Sequence, residues 1–245
     1  MNNNYRVKLS TMMFLDIFVW GAWFPLMAVY LKGLDFNPNW EQPLIFGTFN
    51  LAAFTAMFFS TQFVDRNFAA ERFLAFSMLV AGVTMLALWG TTAFWPFFAL
   101  MLVHSLFYVP TISITNSIAF ANLRDPQHEF GQVRLWGTIG WIAAAWPFIF
   151  ILADWSRIPA LGEVGFVEWM GKVFATSKED TAFTEAAASM FVAAGVASLV
   201  LGVFSLVLPH TPPKPAERGG ATGLARGDEI APPSVRAGAF HSYIL

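Results

Sequence analysis

Six long apolar runs, at 9–31, 44–64, 73–92, 95–123, 133–153 and 186–208, leave this chain few ways to fold. Each is long enough for a helix to cross a hydrocarbon layer of roughly 30 Å, which takes about 20 residues. The runs are continuous, whereas a membrane β-barrel is written in short alternating segments. In lipid a helix satisfies its own backbone hydrogen bonds and an open strand cannot. Charged residues make up 12% of the chain and hydrophobic ones 56%, against about 25% charged in soluble domains. An all-α membrane protein of six transmembrane helices is therefore expected over residues 1–208. Residues 209–245 are rich in Pro, Gly, Ala and charge, which predicts a flexible cytoplasmic linker or tail.

The charges predict an orientation. With the N-terminus inside, Arg6, Lys8, Arg66, Arg72, Arg124, Arg134, Lys214, Arg218, Arg226 and Arg236 fall on the inner side. Lys32, Arg157, Lys172 and Lys178 fall outside. This excess follows the positive-inside rule and puts both termini in the cytoplasm, as in a multi-pass protein of a cell inner membrane. The long outer loop 154–185 carries Glu163, Glu168, Glu179, Asp180 and Glu185, and its stretch 164–174 can form a short surface helix.

No cysteine occurs, so disulfides, thiolate metal sites and cysteine nucleophiles are excluded. No HExxH, GxSxG or GxGD motif and no cluster of metal ligands is present, which argues against an enzyme. No basic patch points to nucleic acid, and no organic cofactor or metal is implied.

The informative residues are the polar ones inside the spans, because a charge at mid-membrane costs about 2.5–3.5 kcal/mol on insertion scales. Asp16, Trp20 and Trp23 are spaced i, i+4, i+7 and share a helix face. Asp16 reads either as a titratable carboxylate lining a cavity or as one hydrogen-bonded to a neighbouring helix. In the fourth span His104, Tyr108, Thr111 and Thr115 form a polar stripe with Asn116 beside it, around Pro110, which removes a backbone donor. The stripe can line a substrate pathway or supply interhelical hydrogen bonds. Arg134, Thr138 and Trp141 repeat the i, i+4, i+7 spacing. Together a guanidinium fork, a hydroxyl and an aromatic plate can hold a flat polar ligand; alternatively, the arginine snorkels to the inner interface. Asn50 is a weaker residue of the same kind. Asp65-Arg66 and Glu71-Arg72 make a charged turn that either latches helix ends or is simply solvated.

Three stretches carry a family resemblance: Trp20-Gly21-Ala22-Trp23; Val109-Pro110-Thr111 with Asn116-Ser117-Ile118; and, most specific, the run from Val133 to Trp141 (VRLWGTIGW). The ending Leu208-Pro209-His210-Thr211-Pro212 fits as well. Over 13–213 the chain resembles the N-terminal half of a major facilitator superfamily transporter of the nucleoside:proton symporter family. The superfamily signature after span two is degraded: Asp65-Arg66 match its acidic-basic core, but Thr61 stands where a glycine is expected. The resemblance implies one six-helix half, built as a 3+3 inverted repeat, of an alternating-access carrier. It also implies that Arg134 and Thr138 face a bound nucleoside, that Trp141 lines the same pocket, and that a proton is co-transported. The family's remaining substrate contacts lie in a second six-helix half, so a lone half is not expected to transport. A facilitator for a sugar or drug is the nearer alternative; a non-transporting six-helix interaction protein is the more distant one.

Overall fold

The computed structural model describes residues 3–59 and 68–212. Among these the chain is all-helical: α1 (Asn3–Gly33), α2 (Glu41–Phe59), α3 (Ala70–Leu88), α4 (Phe94–Asn122), α5 (Pro126–Leu152), α6 (Phe166–Ala175), α7 (Asp180–Ala187) and α8 (Ser189–Ser205). Five stretches are long and apolar enough to cross a membrane: α1, α3, α4, α5 and the nearly continuous α7–α8. α2 occupies the second expected span, and its described part ends at Phe59, inside the expected 44–64.

The helices overrun the apolar runs where a cap lies outside them. α5 begins seven residues before the expected 133, because Asp125 accepts the His128 N–H at 3.3 Å and Pro126 stands in the first turn. Hydropathy sees only the lipid-compatible part of a helix; capping sees its end. The sixth expected span, 186–208, is divided between α7 and α8 at Ala188. The surface helix expected at 164–174 is α6.

Packing follows small residues. α1 lies along α5 and α8, α3 along α4 and α8, and α2 along α4; α1 and α4 also meet directly. Where α1 crosses α5, a Cβ on Gly140 would collide with the Phe14 carbonyl, and one on Gly21 would lie 2.9 Å from the Trp141 Cα. α3 and α8 approach through Gly82 and Gly195, each set against the other's carbonyl oxygen. Lipid tails are as apolar as leucine, so close backbone contact and dispersion, rather than hydrophobic exclusion, hold such helices together.

Candidate functional site

α1, α4 and α5 converge around Asp16. Its side chain is fully buried. Thr111 Oγ1 donates to Asp16 Oδ1 at 3.2 Å and Thr115 Oγ1 to Oδ2 at 3.0 Å. The Tyr108 hydroxyl donates to the Asp16 backbone carbonyl at 2.7 Å. Three donors from one face of α4 thus grip one residue of α1, as their spacing of 3, 4 and 7 requires. The carboxylate's hydrogen-bond partners are neutral hydroxyls; the guanidinium of Arg134, on α5, is the cation whose field reaches it.

The stripe continues above this grip. His104 stacks on Tyr108 (5.4 Å, 10°), meets Trp23 edge-on (6.0 Å, 88°) and donates from Nδ1 to the Ala81 carbonyl on α3 at 3.1 Å. Both His104 and Trp23 are buried, so they bind α1, α3 and α4 into one block.

A second, half-exposed surface lies beside the first. Arg134 Nη1 donates to Asn116 Oδ1 at 3.0 Å, which joins α5 to α4 one residue past Thr115. Further along, Trp20 stacks on Phe49 of α2 (5.2 Å, 17°) and takes Trp141 edge-on (5.3 Å, 85°). Phe24 packs against Trp20 and Trp141. Thr138 is exposed, with its hydroxyl on the same helix as Arg134 and Trp141. Trp20 Nε1 is buried without a protein partner among the described residues. Such a surface offers a guanidinium fork, a hydroxyl and aromatic plates, which suits hydrogen bonding to the edge of a flat polar molecule and stacking on its face.

The expected groupings are thus partly redistributed. Asp16, Trp20 and Trp23 share a face of α1 but not an environment: Asp16 and Trp23 are buried with α4 residues, while Trp20 joins Trp141 and Phe49. Phe24 and Phe49 were not singled out from the sequence, and with 27 phenylalanines in the chain no spacing distinguishes them. Asn50, next to Phe49, is exposed. Asp65 and Arg66 lie outside the described residues. Among the described residues no group of three or more His, Asp or Glu side chains could hold a metal ion.

The other half of the charged turn has a definite role. Glu71 is buried and accepts the Thr211 N–H at 3.0 Å and His210 Nδ1 at 2.7 Å. The Ala70 N–H donates to the Thr211 carbonyl at 3.1 Å, and Asn122 Nδ2 to Thr211 Oγ1 at 3.0 Å. The segment leaving α8 is therefore clasped to the start of α3 and the end of α4. Arg72 stays exposed.

Comparison with known proteins converges on one family. The family model for the nucleoside H+ symporter matches residues 3–158. YegT of Escherichia coli (strain K12), whose name places it provisionally among nucleoside transporters, is 35% identical over 84% of this chain and 43% of its own length. Xanthosine permease of the same organism is 25% identical over 89% of this chain and 46% of its own. The chain thus spans somewhat less than half the length of these curated relatives. A crystal structure of the nucleoside transporter NupG superposes with a TM-score of 0.62 at 22% identity, over 86% of this chain and 45% of that one; this likeness shows a shared fold. These relatives carry transporter names, and the long apolar helices mark an integral membrane protein. The chain belongs to the nucleoside H+ symporter family.

Proposed function

We propose that this chain is the N-terminal half of a major facilitator carrier that moves a nucleoside together with a proton by alternating access. In this reading residues 1–208 form six membrane helices, with α2 as the second, and 209–245 form a cytoplasmic linker to a second six-helix half. The carrier sits in an inner membrane with both chain ends inside. Two observations support this architecture. The curated relatives are about twice as long as the matched region. Most of the helix pairings also map onto themselves when α1, α2 and α3 are exchanged for α4, α5 and α8: α1–α5 becomes α4–α2, α1–α8 becomes α4–α3, and α3–α8 and α1–α4 are unchanged. That is the pattern of a 3+3 inverted repeat.

The observation that carries the substrate assignment is the surface in which Arg134, held by Asn116, stands on one helix with Thr138 and Trp141. Arg134 and Thr138 donate to a nucleoside's carbonyl and hydroxyl oxygens; Trp141, with Trp20 beside it, stacks on the base. Asp16 takes the proton. Its ionised form draws on Thr111 and Thr115 and lies within the field of Arg134, so neutralising it loosens the α1–α4 junction and removes a competing negative field from the guanidinium, which Asn116 continues to hold. Proton and nucleoside thereby act on the same three helices.

Uptake of radiolabelled uridine, adenosine and a sugar panel, by cells expressing the complete carrier, tests the reading. Arg134→Ala at unchanged membrane abundance abolishes nucleoside uptake. Sugar transport without nucleoside transport refutes the substrate class, and unaffected uptake in Arg134→Ala refutes the site. Proteoliposomes holding this half alone do not transport.

A further inference from the structure

α6 presents more apolar surface than the bundle covers. Around the helix, Trp169, Val173, Phe166, Met170, Phe174 and Val167 occupy one arc, and Glu168, Gly171 and Lys172 the opposite one. Val173 is buried, and with Phe174 it borders a cavity of about 250 Å³ roofed over α1 and α5. Trp169 and Met170 are half-buried, and the remainder of the arc is open: Phe166, Val167 and Phe174 are 66%, 84% and 56% exposed. On the polar arc Glu168 and Lys172 pair at 3.2 Å, and a side chain at Gly171 would meet open space.

The position of α6 along the bundle is fixed by its flanks. Ala153, just after α5, bridges to Ser177; Lys178 Nζ donates to the Ile151 carbonyl at 2.9 Å. Trp155 Nε1 donates back to the Phe150 carbonyl at 3.1 Å, and its ring meets Trp169 at 6.1 Å, which in turn meets Phe166 at 6.5 Å. An aromatic chain therefore runs from the last turn of a membrane-crossing helix directly onto the exposed arc. A helix with one apolar face, at the end of a crossing helix and flanked by tryptophans, sits where acyl chains give way to headgroups.

We propose that α6 is a membrane-interface helix: it lies in the leaflet surface at the α5 C-terminal end and buries Phe166, Val167 and Phe174 among lipid acyl chains. The proposal rests on the membrane reading of the spans but not on the substrate. It commits the arc to lipid because Trp155, itself exposed, joins it to the partly exposed last turn of α5, a helix long and apolar enough to cross the membrane.

The chain has no cysteine, so single substitutions give unique labelling sites. Val167→Cys and Phe174→Cys report the apolar arc, Gly171→Cys the polar arc, and Val203→Cys, on an exposed position of α8, a crossing helix. Each variant of the 245-residue chain is labelled with bimane in vesicles of phosphatidylethanolamine and phosphatidylglycerol. It is then quenched with doxyl-labelled lipid and with aqueous iodide. Lipid quenching at 167 and 174 is expected to exceed that at 171 by about threefold or more, with iodide quenching reversed. Iodide access at 167 and 174 equal to that at 171 overturns the proposal, because the helix then stands in water. Shielding of 167 and 174 from both quenchers also overturns it, because protein then covers the arc. Lipid quenching absent at 203 as well identifies failure of the membrane reading itself.

Discussion

Thr115 on α4 donates its hydroxyl to the Asp16 carboxylate on α1 at 3.0 Å, across a junction where both side chains are fully buried. A buried acceptor stripped of its donor loses the bond and keeps its desolvation cost. Thr115→Val keeps the shape and removes the donor, and is expected to lower stability by about 1–3 kcal/mol. Thermal unfolding in detergent measures this. The Thr111→Val, Thr115→Val double variant should fall further than either single variant; an unchanged melting curve would show that the hydroxyls do not hold α1.

Gly140 and Gly131 lie on the same helix and predict opposite signs. A Cβ at 140 meets the Phe14 backbone, whereas one at 131 meets nothing. Gly140→Ala is expected to cost about 1–3 kcal/mol through overpacking. Gly131→Ala should gain up to about 1 kcal/mol from helix propensity. Equal effects of both in one unfolding assay would contradict the close α1–α5 approach.

Asn116 orients Arg134 and is expected to act on binding rather than on folding. In the complete carrier proposed above, Asn116→Ala should raise the KM for nucleoside uptake by up to about tenfold, the equivalent of one hydrogen bond of about 0.5–1.5 kcal/mol. Asn116→Asp gives the guanidinium a charged partner, and so should recover much of that loss. A KM that does not move in either variant would separate Asn116 from the substrate surface.

The Glu71 clasp predicts a local effect. Glu71→Gln replaces charge-assisted hydrogen bonds to His210 and Thr211 by neutral ones, costing about 1–2 kcal/mol. Cleavage by a mild protease just after α8 should accelerate while the helices stay intact. An unchanged cleavage rate would mean that Asn122 and the Ala70 N–H hold the segment by themselves.

The loop leading to α6 has its own pH dependence. Ser156 donates to Asp154 through its hydroxyl (2.6 Å) and N–H (3.1 Å), and Arg157 Nε lies 3.1 Å away. These contacts, the Ser156 hydroxyl first, hold the Asp154 carboxyl below the usual carboxylate range. A carboxyl depressed in the folded state contributes fully above its unfolded value of about 3.9, and the contribution is lost as pH falls through the lower folded value. Proteolytic nicking at 154–165 should therefore be flat from neutral pH down to about pH 5 and rise only in stronger acid. In Asp154→Asn it should be faster at neutral pH and lose that acid step.

Much of this architecture was readable before any coordinates. Apolar runs of spanning length can only be helices, because lipid offers the backbone no hydrogen-bond partners. The run from Val133 to Trp141 carried the family. The spacing of Tyr108, Thr111 and Thr115 put them on one inward face, and they are buried together. Periodicity could not say which neighbour each face meets. Asp16, Trp20 and Trp23 lie within a narrow arc of α1, yet α4 and α5 press on adjoining sides of that arc, so Asp16 goes to threonines and Trp20 to Phe49 and Trp141. Likewise Glu71 has the marks of a solvated turn residue until Thr211 is brought against it from 140 positions away. Local spacing fixes the direction of a side chain relative to its own helix; its partner depends on how helices distant in sequence dock, and that is a property of the packed bundle.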